Sequence, residues 1–220
     1  MTGLDLPGVE TLLRWLDLAG IAVFAASGAL VASRKQLDMV GFVLIAAVTG
    51  LGGGTVRDLL LGRTPVFWLR DPALLAVASS IAVAVFFIAH RVENRFRALL
   101  WADAVGLSLY AVLGAEIGLI AGANPWAAVL LGVMTASFGG ALRDVICNEI
   151  PLLLRKEIYA LAALAGAAVF VLLRLEGVWR ETALLAGMGV CFAIRAAAIL
   201  RGWSLPAYKG RPGREYPDRG

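Results

Sequence analysis

The sequence predicts an all-α integral membrane protein with seven transmembrane helices. Three observations support this fold class: a strongly apolar composition, long uncharged runs separated by short connectors, and an internal repeat. Of the 220 residues, 60% are hydrophobic and only 16% are charged, and the mean hydropathy is +0.81. A water-soluble domain of this length could not bury so much apolar surface, so the composition indicates a bilayer as the solvent.

Seven apolar runs have the length of about 20 residues that a helix needs to cross the hydrocarbon core of a bilayer. They lie near residues 12–32, 39–61, 73–90, 99–121, 126–148, 158–175 and 182–201. The connectors between them are short, and most of them carry charged side chains. The end of the chain is polar and rich in Pro, Gly and Arg, so we expect residues 203–220 to form a disordered cytoplasmic tail.

The distribution of basic residues predicts the orientation of the chain in the membrane. Most of the Lys and Arg residues of the connectors, including Arg34, Lys35 and Arg155, fall on the same side of the predicted bundle as the tail. Basic residues are enriched on the cytoplasmic side of membrane proteins. We therefore expect the N-terminus outside and the C-terminus in the cytoplasm. The first residues lack the basic region and cleavage site of a signal peptide, so the first run should remain as a spanning helix.

An internal repeat appears when the sequence is shifted by 86 residues. The aligned residues include Asp17 with Asp103, Gly53-Gly54 with Gly139-Gly140, and Arg57-Asp58 with Arg143-Asp144. Each copy contains three predicted spans, so the second copy must enter the membrane from the opposite side. We expect an inverted 3+3 repeat formed by residues 11–95 and 96–180, followed by a seventh helix at 181–202 that belongs to neither copy.

Glycine clusters lie in the middle helix of each repeat, at Gly52-Gly53-Gly54 and at Gly139-Gly140. Two interpretations remain open. The glycines either let two helices pack closely, or they bend or break the helix so that freed carbonyl groups face a water-filled path. Thr49 and Thr135 precede the clusters by one turn, and either offer hydroxyls to a passing ion or bond back to their own helix. Ser137 joins them as a candidate pore residue.

Charged residues within the predicted spans form two matched sets, one toward each membrane face. The sets are Asp17, Arg57 and Asp58, and Asp103, Arg143 and Asp144. Charge at membrane depth is costly and usually functional. Each set is either a structural cluster in which arginine neutralises carboxylates, or a vestibule that concentrates cations at the mouth of a path. Glu116 has no counterpart in the first repeat; it is either a functional residue or a partner of Arg195.

Several classes of function find no support in the sequence. We find no nucleophile–base pair, no His/Cys metal cluster and no phosphate-binding loop with a lysine, so we expect no enzymatic activity, no cofactor and no metal site. The net charge of +4 is spread over the connectors and gives no nucleic-acid surface. Cys147 and Cys191 both lie in apolar runs, which indicates buried thiols without a disulfide framework.

On these residues the chain resembles the trimeric intracellular cation (TRIC) channel family, in a bacterial branch whose members often carry the label of putative glycine transporter. The resemblance covers residues 11–201. It depends on the two glycine clusters, each followed by an Arg-Asp pair on the middle helix of a three-helix repeat. One departure is that Phe138 stands where the first repeat has Gly52, so the two bends need not be equivalent.

The resemblance implies a homotrimer in the bacterial inner membrane. Each subunit would have its own hourglass-shaped pore for monovalent cations, mainly K⁺ and with Na⁺ as the alternative, formed where the second and fifth helices bend at the glycines. Bound membrane lipid is a further expectation. Two other functions remain open: a secondary transporter of a small solute such as glycine, which would use the same inverted repeat for alternating access, and a non-conducting scaffold or lipid-binding membrane protein.

Overall fold

The computed structural model describes residues 7–92, 94–155 and 157–206, and these residues form a bundle of helices. Most of the predicted tail, residues 207–220, lies outside the described part of the chain. The helices are α1 (Pro7–Arg34), α2 (Met39–Leu60), α3 (Phe67–Arg70), α4 (Ala73–Ile88), α5 (Arg95–Ile120), α6 (Pro125–Ile146), α7 (Ala160–Leu175) and α8 (Arg180–Arg201). Two short 3₁₀ turns, Ala89–Arg91 and Leu152–Leu154, follow α4 and α6.

Six of the described helices are long and apolar enough to cross a membrane, which confirms the predicted class of all-α membrane protein. The exceptions are the single-turn helix α3 and the apolar helix α7. α7 has 16 residues and is therefore about 24 Å long, a little less than the hydrocarbon core. The sequence suggested a run from 158, but the residues before Ala160 are not helical, and Glu157 forms an isolated β-bridge with Ser204. The seventh span remains a prediction.

Side-chain caps define where the middle helices begin. The carboxylate of Asp38 accepts a hydrogen bond of 2.8 Å from the backbone N–H of Gly41 at the start of α2. At the start of α6, the side-chain oxygen of Asn124 accepts one of 2.9 Å from the N–H of Ala127. Both caps satisfy backbone donors that have no partner within the helix. The two capping residues are 86 positions apart, so the repeat extends to the helix boundaries.

Glycine and aromatic residues interlock where α1 packs against α5. The rings of Phe24 and Tyr110 stack with centroids 5.5 Å apart and planes only 9° from parallel. A Cβ atom on Gly20 would lie 2.8 Å from the Tyr110 ring, and one on Gly106 would lie 3.0 Å from the Phe24 ring. Each aromatic ring therefore occupies space that the glycine of the other helix leaves free. These two contacts are equivalent under the shift of 86 residues.

A second reciprocal contact joins α2 and α6. A Cβ atom on Gly53 would lie 2.0 Å from the carbonyl oxygen of Thr135, and one on Gly139 would lie 2.1 Å from the carbonyl oxygen of Thr49. Both distances are far below van der Waals contact, so only glycine allows the two backbones to approach this closely. α2 and α6 remain helical through their glycine clusters. The structure therefore favours close packing and shows no break with unwound carbonyl groups.

The close approach of α2 and α6 predicts how alanine substitutions change the free energy of unfolding. Gly53→Ala and Gly139→Ala should each lower the free energy of unfolding by about 1–3 kcal/mol, because the new methyl group overlaps a backbone carbonyl that cannot move aside. Gly140→Ala is the matched control, since a Cβ atom there has no neighbour closer than 3.4 Å. Thermal unfolding of the purified protein in detergent measures the difference. Equal unfolding temperatures for Gly53→Ala and Gly140→Ala would contradict the close crossing.

Candidate functional site

The charged residues of the spans gather toward the two ends of the bundle. We call the end at which α1 begins the N-terminal face, and the end at which α8 ends the C-terminal face. Short connectors alternate the helices between the faces, so α2 and α5 end at the N-terminal face whereas α6 ends at the C-terminal face. The set of Asp17, Arg57 and Asp58 thus lies toward the N-terminal face. The set of Asp103, Arg143 and Asp144 lies toward the C-terminal face.

At the C-terminal face, Arg143 is fully buried and is held by three side chains. Its Nη1 atom donates to Asp103 Oδ1 over 2.9 Å and also to the hydroxyl of Ser27, and its Nε atom donates to Asp144 Oδ1 over 2.8 Å. Asp103 is also completely buried. One guanidinium thereby links α1, α5 and α6. Each of these charges is ion-paired, which offsets the cost of burial, although Arg143 Nη2 and Asp103 Oδ2 have no hydrogen-bond partner in the described part of the chain.

The second carboxylate of each Arg-Asp motif holds the connector that follows its helix. Asp144 Oδ2 accepts a hydrogen bond of 3.0 Å from the backbone N–H of Leu152, and Asp58 Oδ2 accepts one of 2.8 Å from the N–H of Phe67. Asp58 is fully buried, and Asp144 is 2% exposed. These two aspartates therefore have a structural role in both halves of the chain.

The equivalent set at the N-terminal face has fewer hydrogen bonds between its side chains. Both Nε and Nη2 of Arg57 lie 2.9 Å from Asp58 Oδ1. Within the described part of the chain, Arg57 Nη1 and Asp17 Oδ1 have no hydrogen-bond partner. The repeat explains part of this difference, because the position equivalent to Ser27 is Leu113, which has no oxygen to offer. Sequence reasoning did not single out Ser27, although this mismatch within the repeat was visible.

A cavity of about 850 Å³ opens at the N-terminal face next to Asp17 and Arg57. Five arginines and three carboxylates contribute to its lining: Arg14, Arg57, Arg63, Arg174 and Arg180, with Asp17, Asp71 and Glu116. Most of these arginines lie in connectors and at helix ends far apart in the chain, so their sequence positions do not connect them with the site.

Glu116 and Arg195 do not pair with each other. Glu116 forms an ion pair of 2.6 Å with Arg180, and Arg174 lies 4.0 Å from it. Arg195, although fully buried on α8, pairs with Glu157 at 2.7 Å near the C-terminal face. The suggested Glu116–Arg195 pair is therefore wrong, because the two side chains belong to opposite ends of the bundle.

The candidate pore hydroxyls all bond to their own helices. The hydroxyl donors and their acceptors are Thr49 with Ile45 O at 2.6 Å, Thr135 with Leu131 O at 2.6 Å, and Ser137 with Val133 O at 2.7 Å. Each bond connects a side chain to the carbonyl four residues earlier, which is the ordinary arrangement of Ser and Thr inside helices. The structure therefore shows the local alternative for these three residues.

The fold is that of solved TRIC channel structures. The TRIC channel orthologue from Rhodobacter sphaeroides is 54% identical to this chain, with a TM-score of 0.86, and the match covers 88% of this chain and 100% of that one. A prokaryotic TRIC channel in 0.5 M KCl is 32% identical with a TM-score of 0.83, covering 89% and 100%. These solved structures are of cation channels, so the expectation that the chain is not an enzyme is confirmed.

The glycine transporter family model matches residues 14–91 and 100–174. The UPF0126 inner membrane protein YadS of Escherichia coli (strain K12) is 40% identical over 199 residues, which cover 90% of this chain and 96% of that protein. A UPF0126 membrane protein of Vibrio cholerae is 38% identical over 203 residues, covering 90% and 83%. The chain belongs to the glycine transporter family and has the fold of the TRIC channel structures. The resemblance inferred from the sequence is thereby confirmed.

The unequal pairing at the two faces predicts unequal responses to the same substitution. Asp103→Asn should lower the free energy of unfolding by several kcal/mol, on the scale of about 3–5 kcal/mol for breaking a buried ion pair. Asp17→Asn should be neutral or stabilising, because it removes a carboxylate that forms no ion pair in the described part of the chain, whereas Asp103 is paired with Arg143. Thermal unfolding in detergent compares the two variants. A larger fall in unfolding temperature for Asp17→Asn than for Asp103→Asn would contradict this difference in pairing.

Proposed function

We propose that the protein is a passive channel for monovalent cations, principally K⁺, with one path per subunit between α2 and α6 in a homotrimer. The observation that supports this most strongly is the fold match to TRIC cation channels, one of which is 54% identical and described as trimeric. The reciprocal contact of Gly53 and Gly139 agrees with this proposal, because it brings the two equivalent helices together and would form the constriction of a path that runs along them.

We further propose that the chain crosses the bacterial inner membrane seven times as an inverted 3+3 repeat plus α8. The support comes from contacts that occur in pairs under the shift of 86 residues, both between α1 and α5 and between α2 and α6. The N-terminal face would lie outside and the C-terminal face in the cytoplasm, in agreement with the distribution of basic residues. One named relative, from Escherichia coli, is an inner membrane protein.

In this proposal the site residues have different roles. The glycines at 52–54 and 139–140 form the narrow crossing, where α2 and α6 pack closely and stay helical. Thr49, Thr135 and Ser137 lie beside it. Both arginines of the Arg-Asp motifs, with Asp58, Asp103 and Asp144, maintain the shape of the two ends. The vestibule role then belongs to Asp17, which lines the cavity and forms no ion pair in the described part of the chain, whereas Asp103 is paired with Arg143.

Recording from the purified protein in a planar bilayer tests the channel. With a KCl gradient, we expect discrete openings that reverse near the K⁺ equilibrium potential. Asp17→Asn should lower the conductance more at low salt than at high salt, because ionic screening weakens the attraction of the carboxylate. Asp38→Asn is the matched control; it removes one charge at the other face, and Asn still caps a helix. A loss of conductance that is independent of salt, or equal for Asp17→Asn and Asp38→Asn, would contradict the vestibule role.

The description of the matching family favours one alternative function, a secondary transporter of glycine. An inverted repeat is also the usual architecture for alternating access. Uptake of labelled glycine into proteoliposomes separates the two functions. Saturable uptake together with silent bilayers would support the transporter, whereas unitary currents without saturable uptake would support the channel.

A further inference from the structure

The two equivalent arginines, Arg57 and Arg143, differ in how many oxygen partners they have. Arg143 bonds to side-chain oxygens of three residues, whereas Arg57 bonds to those of Asp58 alone. Both arginines are buried, and each keeps one Nη atom without a hydrogen-bond partner in the described part of the chain, Nη1 of Arg57 and Nη2 of Arg143. Of the two, Arg57 contributes to the wall of the N-terminal cavity and Arg143 does not. A buried guanidinium donor without a partner is costly, so a ligand in the cavity would satisfy an existing need.

Most of the other charges around this cavity are already paired. Arg14 lies 2.9 Å from Asp71, and Arg180 lies 2.6 Å from Glu116. Arg63 is different: its side chain is 37% exposed, and the carboxylate recorded nearest to it, that of Asp58, is 3.9 Å away and already bonded to Arg57. The cavity therefore retains an excess of positive charge.

Glu116, Arg174 and Arg180 carry buried atoms without a hydrogen-bond partner in the described part of the chain, but these side chains face one another as ion pairs. Three other groups at the wall of the cavity, Arg57, Arg63 and Asp17, are not ion-paired with one another and interact electrostatically. Two of them offer N–H donors and a positive charge, and the third offers a carboxylate oxygen as an acceptor. A hydrated K⁺ ion fits this combination poorly, because the two guanidinium groups repel it. Chloride fits the arginines but has no hydrogen to donate to Asp17.

We infer that the N-terminal cavity is a binding site for a phosphate group that carries a hydrogen-bond donor. The planar guanidinium groups of Arg57 and Arg63 match phosphate oxygens in charge and geometry. Asp17 accepts a hydrogen bond from the P–OH of a phosphate monoanion, or from the ammonium or hydroxyl group of a phospholipid headgroup. Free phosphate and a lipid headgroup thus share the recognised chemistry. The negative charge of the bound phosphate group would offset the positive charge of the arginines and leave the mouth of the cavity more attractive to cations.

Unfolding of the purified full-length protein in detergent tests binding of free phosphate without any need for ion conduction. Potassium phosphate replaces KCl at constant ionic strength and neutral pH. We expect a saturable rise in the unfolding temperature that is absent in chloride. Arg63→Gln should weaken the response by about tenfold or more, since it removes a charge-assisted hydrogen bond. The control Arg91→Gln removes an exposed positive charge outside the cavity and should respond like the wild type.

Native mass spectrometry of protein extracted in a mild detergent tests the lipid source. Phospholipid retained by the wild type and by Arg91→Gln, but lost from Arg63→Gln, would identify a headgroup as the ligand. Phosphate stabilisation without retained lipid would identify the free anion. The inference is overturned if neither phosphate stabilisation nor lipid retention depends on Arg63, or if Arg91→Gln reduces them equally. Arg63→Gln itself should unfold near the wild-type temperature in chloride, because its side chain is partly exposed and only loosely paired.

Discussion

The contact between the backbones of α2 and α6 is the constraint on which the rest of the structure depends. Gly53 lies against the carbonyl of Thr135 and Gly139 against that of Thr49, so no side chain separates the two helices at this level. The arginine of each half follows its glycine by four residues, about one helical turn or 6 Å. The crossing therefore places the two charged sets at similar depths on either side of itself, one toward each membrane face.

In a bilayer, close packing and polar contacts between helices hold the bundle together in place of the hydrophobic effect. Lipid chains are as apolar as the helix surfaces, so helices associate through close packing and through polar contacts. The glycine–aromatic contacts of α1 with α5 and the glycine–carbonyl contacts of α2 with α6 provide the first. The bonds of Arg143 to Ser27, Asp103 and Asp144 provide the second, and they join three helices through one side chain.

Much of the fold could be predicted from the sequence, because apolar length, helix caps and the repeat are properties of short stretches. The roles of individual residues could not, because they depend on partners far away in the chain. Whether Gly53 bends its helix or packs against another helix depends on its contact with Thr135, which lies in the other repeat. The pairing of Glu116 was likewise decided by Arg180, a residue at the start of a helix outside the repeat. Sequence alone also gave no reason to separate Asp17 from Asp103.

The direct bond between Arg57 and Asp58, and that between Arg143 and Asp144, has a consequence for biogenesis. In each pair the two charges are adjacent in sequence, so they can neutralise each other as soon as their helix forms. A helix that carries its own counter-charge enters the bilayer at a lower cost than one with a lone arginine. Each of these helices can therefore insert before its partner has been synthesised. The longer-range contact from Arg143 to Ser27 then joins the second half of the bundle to the first.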